Sequence, residues 1–324
     1  MKLFITGGSG FIGSNFIRYI HEKYPNMDIL NYDKLTYAGN LKNLEDLLSD
    51  DKFRSHYTFV KGDICDEGAF SAAVSDFKPD VVVAFAAESH VDRSIDNPQQ
   101  FLVTNVLGTE TVLRVCRDKK VPKLVHISTD EVYGSVADGS SSEDAPFKPN
   151  SPYSVSKAAG DLLCRAFVET YKTPVVVARG SNCFGGFQHP EKFIPKSITN
   201  LIQGKPINLY GDGKQAREWI YVSDFCWGVE QLIFKGHLGE SYNLGSGHRA
   251  SNVQICESLL TILGCSMDQI KFVADRPGHD QRYALNSEKL SNQMHRGLTV
   301  DLQKGLKKTV EWYQTNKDWW LPLI

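Results

Sequence analysis

Short β-branched runs alternate with amphipathic stretches along the first half of the chain. Residues 2–6, 28–32, 57–61, 81–85, 123–128 and 174–178 read as strands bounded by polar or glycine-containing breaks. Between them, 11–24, 41–48, 67–75, 101–119 and 153–171 carry apolar positions at helical spacing. Strands separated by helices predict a parallel sheet, because parallel neighbours need crossover connections. Val81-Val82-Val83 is continuously apolar, as expected of a strand buried on both faces. After about Gly180 the rhythm changes. Loops lengthen, charge and proline rise, and the helical stretches at 191–203 and 253–263 no longer follow a regular strand. The expected class is α/β: a doubly wound parallel sheet over residues 1–180, and a smaller α+β substrate domain over 181–324 capping its carboxyl edge. A late strand at 238–244 predicts a return segment near 220–247.

Composition narrows the function. With 41% hydrophobic residues in 324, the chain can bury a substantial core, which excludes disorder and fibrous repeats. Thirty-six basic against 38 acidic residues leave no surplus for neutralising phosphates, so no nucleic-acid partner is expected. The longest apolar runs are strand-length, so no membrane span is expected. The opening Met-Lys-Leu-Phe-Ile-Thr-Gly-Gly has no cleavable-signal pattern, glycines interrupting it at once. Seven cysteines, odd in number and without a Cys-x-x-Cys pair, read as reduced thiols of a cytoplasmic protein.

Gly7-Gly8-Ser9-Gly10-Phe11-Ile12-Gly13 follows the first strand and opens the first helix. Glycines there permit a tight turn, close approach of a pyrophosphate to backbone N–H groups, and close helix–sheet packing. The helix N-terminus adds partial positive charge. Asp33 ends the second strand about twenty residues on, where an acid accepts from ribose hydroxyls and repels a 2′-phosphate. A Rossmann-type site for NAD rather than NADP is therefore expected, with Lys34 a neighbouring cation. Gly62-Asp63-Ile64 after the third strand is placed to face the adenine, and Asp63 is equally readable as an ordinary turn residue.

Tyr153 and Lys157 lie four apart and share one helix face, with Ser151 and Pro152 suited to the cap and first turn. A phenol ionises near pH ~10, too high for a base at neutrality, and a nearby ammonium together with the positive nicotinamide of an oxidised cofactor favours the phenolate. The spacing alone is mostly that of an ordinary amphipathic helix. After the fifth strand of a dinucleotide fold it points to alcohol oxidation.

Gly7-x-x-Gly10-x-x-Gly13 with Tyr153-x-x-x-Lys157 resembles the extended short-chain dehydrogenases/reductases that act on nucleotide sugars. Asp33–Gly39, Ala86–Ser94, Ser128–Gly134, Pro190–Pro195 and Asp275–Asp280 narrow the likeness to their 4,6-dehydratases, over nearly the whole chain. That resemblance implies an NAD-dependent hydro-lyase that oxidises C4 of a nucleotide-activated glucose, eliminates water across C5 and C6, and reduces C6. It implies Thr129, Asp130, Glu131, Tyr153 and Lys157 as catalytic residues, with Glu131 the base at C5 and Asp130 the acid at the C6 oxygen. Adjacent carboxyls suit that division, since neighbouring like charges disfavour double ionisation. In a straight strand they would point to opposite faces, so the chain is expected to leave β geometry near Asp130.

The same resemblance implies Leu35, Thr36, Ile64, Phe85, Ala86, Ala87, Ser89 and Thr104 as further cofactor contacts. It places Ser89, Thr129, Asn182, Glu191, Lys192, Arg217, Asn252, Arg276 and His279 at the sugar nucleotide, and implies a homodimer joined through a four-helix bundle. No metal site is expected, because no clustered ligand spacing exists and the chemistry requires none. The sequence departs from the family pattern at Gly180, Cys183, Phe184, Gln281 and around Met294, which bears on the nucleotide or sugar accepted. dTDP-glucose is the first expected substrate. UDP-glucose, a nucleotide-sugar 4-epimerase, and a non-catalytic NAD sensor are the rival readings.

Overall fold

A computed structural model of the chain describes residues 1–275, 277–294 and 299–324. Its twelve strands are β1 (Lys2–Thr6), β2 (Asp28–Asp33), β3 (Tyr57–Lys61), β4 (Val81–Ala84), β5 (Lys123–Thr129), β6 (Val175–Gly180), β7 (Asn182–Phe184), β8 (Ile207–Tyr210), β9 (Ala216–Tyr221), β10 (Ser241–Leu244), β11 (Arg249–Ser251) and β12 (Ile270–Val273). Seven form one parallel sheet in the order β10-β6-β5-β4-β1-β2-β3. The winding reverses between β1 and β4, and such a switch point opens a crevice at the strands' carboxyl ends.

Successive side chains of the central strands alternate between two cores. Leu3, Ile5, Val81, Val83 and Val125 meet Phe16 and Ile20 of helix Phe11–Lys23 and Phe225 and Leu232 of helix Val222–Lys235. Phe4, Val82, Leu124 and Val177 meet Phe70, Val112 and Phe167 on the opposite face. Each such side chain contributes about 1.5–3 kcal/mol on full burial, so both faces must be covered by helices. A third core, including Phe184, Ile198, Trp219, Leu259 and Tyr313, lies under the three-stranded sheet β11-β9-β7 and the β12-β8 pair. β10 completes the large sheet, and helix Val222–Lys235 packs on it.

Two predicted helices differ from expectation. Residues 41–48 are not one helix but the short 3-10 turns Leu41–Asn43 and Asp46–Ser49. Arg18 grips the Asn43 carbonyl and Asp46, while the Asn43 amide donates to the Ser9 carbonyl at 2.9 Å, and these tertiary bonds override the local helical register. Residues 101–119 divide into helix Pro98–Leu102, a π turn Val103–Gly108 and helix Thr109–Asp118. The Asn105 amide donates to the Glu88 carbonyl and Ser156 and accepts from the Glu88 N–H, each at 2.9 Å, which holds the widened turn against the sheet. All seven cysteines are thiols. Among the described residues no helix is long and apolar enough to cross a membrane.

Candidate active site

A cleft of about 670 Å³ opens at the carboxyl ends of β1, β4 and β5, lined from both halves of the chain. Its floor is the glycine turn. Gly7 has φ +71°, and a Cβ there would sit 2.6 Å from the Ala86 nitrogen. A Cβ on Gly13 would lie 2.3 Å from the Gly7 carbonyl oxygen, so only hydrogen lets the helix start flush against the turn. Gly10 caps that helix without a side-chain bond, leaving its first-turn N–H groups to an anion. The Asp33 carboxylate beside it accepts from the N–H groups of Ser9 at 2.9 Å and Leu35 at 2.8 Å, and burial pushes its pKa up. Lys34 turns to Asp63 at 2.7 Å, so its cation is compensated and does not offset Asp33.

Gly7, Gly10, Phe11, Ile12, Gly13, Asp33, Lys34 and Thr36 all line the cleft. So do Asp63 and Ile64 after β3, Phe85, Ala86, Ala87 and Ser89 after β4, and Thr104 from the π turn. Leu35 is the exception. It takes a left-handed φ of +56° and is absent from the cleft wall, its N–H serving Asp33 instead. The cradle thus fits a dinucleotide: it lacks room for side chains where phosphates pass, exposes uncapped amides, and sets a carboxylate at the ribose position.

The chain leaves strand geometry after Thr129. β5 stops at Thr129, whose hydroxyl accepts from the Glu131 N–H at 3.3 Å and caps the 3-10 turn Asp130–Tyr133. Both carboxyls therefore reach the same cleft. Gly134 ends the turn at φ +71°, where a Cβ would lie 2.0 Å from the Lys148 carbonyl oxygen. Thr129 donates to Asp130 Oδ1 at 3.1 Å, and Asp130 Oδ2 is buried without a hydrogen-bond partner among the described residues. Burial first, then the charges of Glu131 and Glu218, raise the Asp130 carboxyl well above its usual range, which favours its protonated form.

Helix Pro152–Tyr171 begins with a Ser151–Ser154 capping box and proline in its first turn, which sets Tyr153 at the cleft. Thr129 hydrogen-bonds the Tyr153 phenol. The phenol lies above its ordinary range. Burial and the Glu131 charge raise it, while the Lys157 ammonium donates to the Ile127 carbonyl at 2.7 Å and is itself lowered by burial. In the protein alone the positive charge is spent on a backbone oxygen rather than on the phenol.

On the opposite wall stand Ser89, Asn182, Glu191, Lys192, Arg217, Asn252 and His279. Asn182 Oδ1 and Glu191 Oε1 are buried without hydrogen-bond partners among the described residues, as acceptors awaiting a ligand are. Lys192 Nζ donates to the Ser89 carbonyl at 2.8 Å, and His279 pairs with Asp275 at 2.6 Å. The Arg217 fork is engaged by the carbonyls of Ala216 and Asp280, each at 2.9 Å, and stacks on Tyr283. Arg276 and the segment after Met294 lie outside the described residues. Among the described residues, no group of three or more His, Cys, Asp or Glu could hold a metal ion.

The sequence reading missed Tyr37, Tyr283 and Trp219, all of which line the cleft. Tyr37 sits inside the Asp33–Gly39 segment and was available as a signal. Tyr283 and Trp219 reach the cleft only through tertiary folding, and no spacing in the sequence marks them.

A dinucleotide cradle opening onto a phenol, an ammonium and two carboxyls can oxidise an alcohol and then move protons at neighbouring carbons. That is the chemistry of the extended short-chain dehydrogenases/reductases. Within them, the chain belongs to the GDP-mannose 4,6 dehydratase family, whose model matches residues 4–309. The dTDP-glucose 4,6-dehydratase of Streptomyces niveus is 41% identical over 327 residues, spanning 100% of this chain and 96% of that protein. The crystal structure of DesIV, the dTDP-glucose 4,6-dehydratase of Streptomyces venezuelae with NAD and TDP bound, matches with a TM-score of 0.95 at 43% identity, covering 100% of both chains. The NAD complex of UDP-glucose 4-epimerase from Thermus thermophilus matches with a TM-score of 0.89 at 27% identity, over 98% of this chain and 100% of that one. Shape is thus shared with epimerases, and side-chain chemistry must separate the two.

Proposed function

We propose that the chain is an NAD-dependent 4,6-dehydratase converting dTDP-glucose to dTDP-4-keto-6-deoxyglucose. The observation carrying this reading is the turn that brings Asp130 and Glu131 together into the cleft occupied by Tyr153. Epimerisation at C4 requires no acid–base pair for water loss. Residues 1–180 with the return near 220–247 would hold the dinucleotide, and most of 181–324 the sugar nucleotide.

NAD in the glycine cradle supplies the two-electron oxidation at C4 and the matching reduction at C6, so no net oxidant is consumed. Tyr153, oriented by Thr129, accepts the proton of the C4 hydroxyl. Because burial and Glu131 hold the phenol proton on, ionisation requires positive charge to be added beside it. The new C4 ketone acidifies C5, whose proton passes to Glu131. Asp130, still protonated, gives its proton to the departing C6 oxygen, and water leaves. Asn182 and Glu191 present acceptors to the sugar nucleotide.

The deciding experiment is incubation with dTDP-glucose and UDP-glucose followed by mass spectrometry. Loss of one water from dTDP-glucose without net NADH is expected. An isomer of unchanged mass would mean epimerisation, faster dehydration of UDP-glucose would reassign the nucleotide, and no turnover of either would favour a sensor.

We further infer a homodimer. Leu102, Leu107, Val155 and Leu162 are 46%, 59%, 45% and 54% exposed on the paired helical stretches 98–118 and 152–171. Val155 and Leu162, seven residues apart, share a helix face. Packing these faces across a two-fold axis gives four helices and buries the leucines. Sedimentation equilibrium should give twice the 36.3 kDa chain mass; a species of 36.3 kDa at micromolar concentration would refute the pairing. The seven thiols suit a reducing cytoplasm.

A further inference from the structure

Three chain segments far apart in sequence meet at the rim of the cleft around one carboxylate. Tyr37 comes from the loop after β2, directly behind Asp33. Arg93 comes from the short helix Val91–Asp96 after β4, and Glu191 from the segment before helix Phe193–Ile202. The Arg93 guanidinium lies 3.6 Å from the Tyr37 ring centroid and reaches Glu191 Oε2 at 3.1 Å. Burial and then the neighbouring Glu191 carboxylate raise the Tyr37 phenol, which sets the two side by side and closes a triangle. His189 packs edge-on against Tyr37 at 5.5 Å, and Lys192 donates to the Ser89 carbonyl at 2.8 Å, a second tie between the same segments.

The triangle has two sides. The Arg93 side chain is 50% exposed to solvent, while that of Glu191 is 14% exposed and lines the cleft. Glu191 Oε2 faces Arg93, whereas Oε1 is buried without a hydrogen-bond partner among the described residues. A lone carboxylate on a loop would rotate freely. Here the planar Arg93 fork, stacked on the Tyr37 ring, holds Oε2 and leaves Oε1 for a ligand. The two partners also hang from the loops that follow β2 and β4, and those loops form the dinucleotide cradle.

We infer that Tyr37 and Arg93 are positioning residues: they clamp Glu191 at the rim, aim its free oxygen at the sugar nucleotide, and tie the cofactor loops to the substrate segment. The inference rests on the dehydratase reading. Opening the clasp loosens the sugar-facing acceptor and the rim over the dinucleotide together. Asp130, Glu131 and Tyr153 stand on the turn and the helix that follow β5, and the tie from Tyr153 to the Arg93 helix, its N–H donating to Ser94 Oγ at 3.1 Å, is kept in each substitution below.

Arg93→Ala, Arg93→Lys and Tyr37→Phe test this against the parent chain, with thermal melting to verify folding. Arg93→Ala should raise KM for dTDP-glucose about tenfold while kcat falls less than about threefold. NAD carried per chain through gel filtration should fall to about half the parent value or less. Arg93→Lys keeps the charge without the flat fork and should lie between parent and Arg93→Ala, and Tyr37→Phe should show a smaller loss of the same kind. Parent-like KM and NAD content in both Arg93→Ala and Tyr37→Phe would overturn the clasp, as would a fall in kcat at unchanged KM. If the parent fails to turn over dTDP-glucose, the functional reading falls separately. The clasp is then judged by NAD content and by the Kd for TDP, where parent-like values overturn it and losses in both support it.

Discussion

Glu131→Gln should cut steady-state dehydration by about 10²–10⁴-fold while leaving oxidation at C4 largely intact. Glutamine matches the carboxylate in size, and the turn is held by the Glu131 N–H to Thr129, which the substitution keeps. What is lost is the base for the C5 proton. With enzyme in excess, reduced dinucleotide should build up beside a 4-keto sugar that has not lost water. The variant also removes a negative charge that raises the Tyr153 phenol, so the acid limb of the oxidation step should move to lower pH. Water elimination at the parent rate would show that Glu131 is not the base.

Asp130→Asn should abolish turnover to a comparable degree yet stabilise the fold at neutral and alkaline pH. Asparagine retains the shape and can still accept from Thr129, but it has no proton to give the C6 oxygen. The sign of the stability change follows from linkage. The folded carboxyl titrates well above its unfolded value of 3.8 because it is buried beside Glu131 and Glu218. Between those two values the folded state binds more protons than the unfolded one, so the parent loses stability as pH rises, by about 1.4 kcal/mol per pH unit. Asparagine has no such term. Thermal melting across pH should show the variant's advantage growing above pH 4 and vanishing near it. A pH-independent difference would mean that Asp130 is ionised in the folded protein, which contradicts its assignment as the acid. Such opposition between stability and activity is expected where a site holds a group in an unfavourable environment.

His126 marks how far this buried polar environment extends behind the site. Its ring is pushed well below its usual range by burial, then by Lys157 and Arg179, with Asp161 3.8 Å away. Asp161 pairs with Arg179 at 2.7 Å, and Arg179 holds Tyr133 at 2.8 Å, at the end of the Asp130 turn. This network braces the catalytic turn against β6 and β10, and none of its pairings is visible in the spacing of the residues.

The strands and the glycine cradle were legible because their causes are local. Short β-branched runs, a turn with no room for Cβ atoms, and a Ser-Pro cap act within a few residues of themselves. The helix expected at 41–48 failed because Arg18 and Ser9, distant in sequence, bind that backbone more strongly than its own periodicity directs. Leu35 was placed at the cofactor by resemblance, and its left-handed backbone takes it off the cleft wall.

By itself, then, the chain of residues determined a doubly wound sheet, a dinucleotide cradle at its switch point, and a tyrosine and lysine on one helix face. Tertiary structure decided the rest: that β5 breaks at Thr129 so two acids share one cleft, that Lys157 spends its charge on a carbonyl, and that Tyr37, Arg93 and Glu191 close over the rim. Proton affinities and ion pairs depend on burial and on neighbours brought from elsewhere in the chain, and those quantities exist only once it has folded.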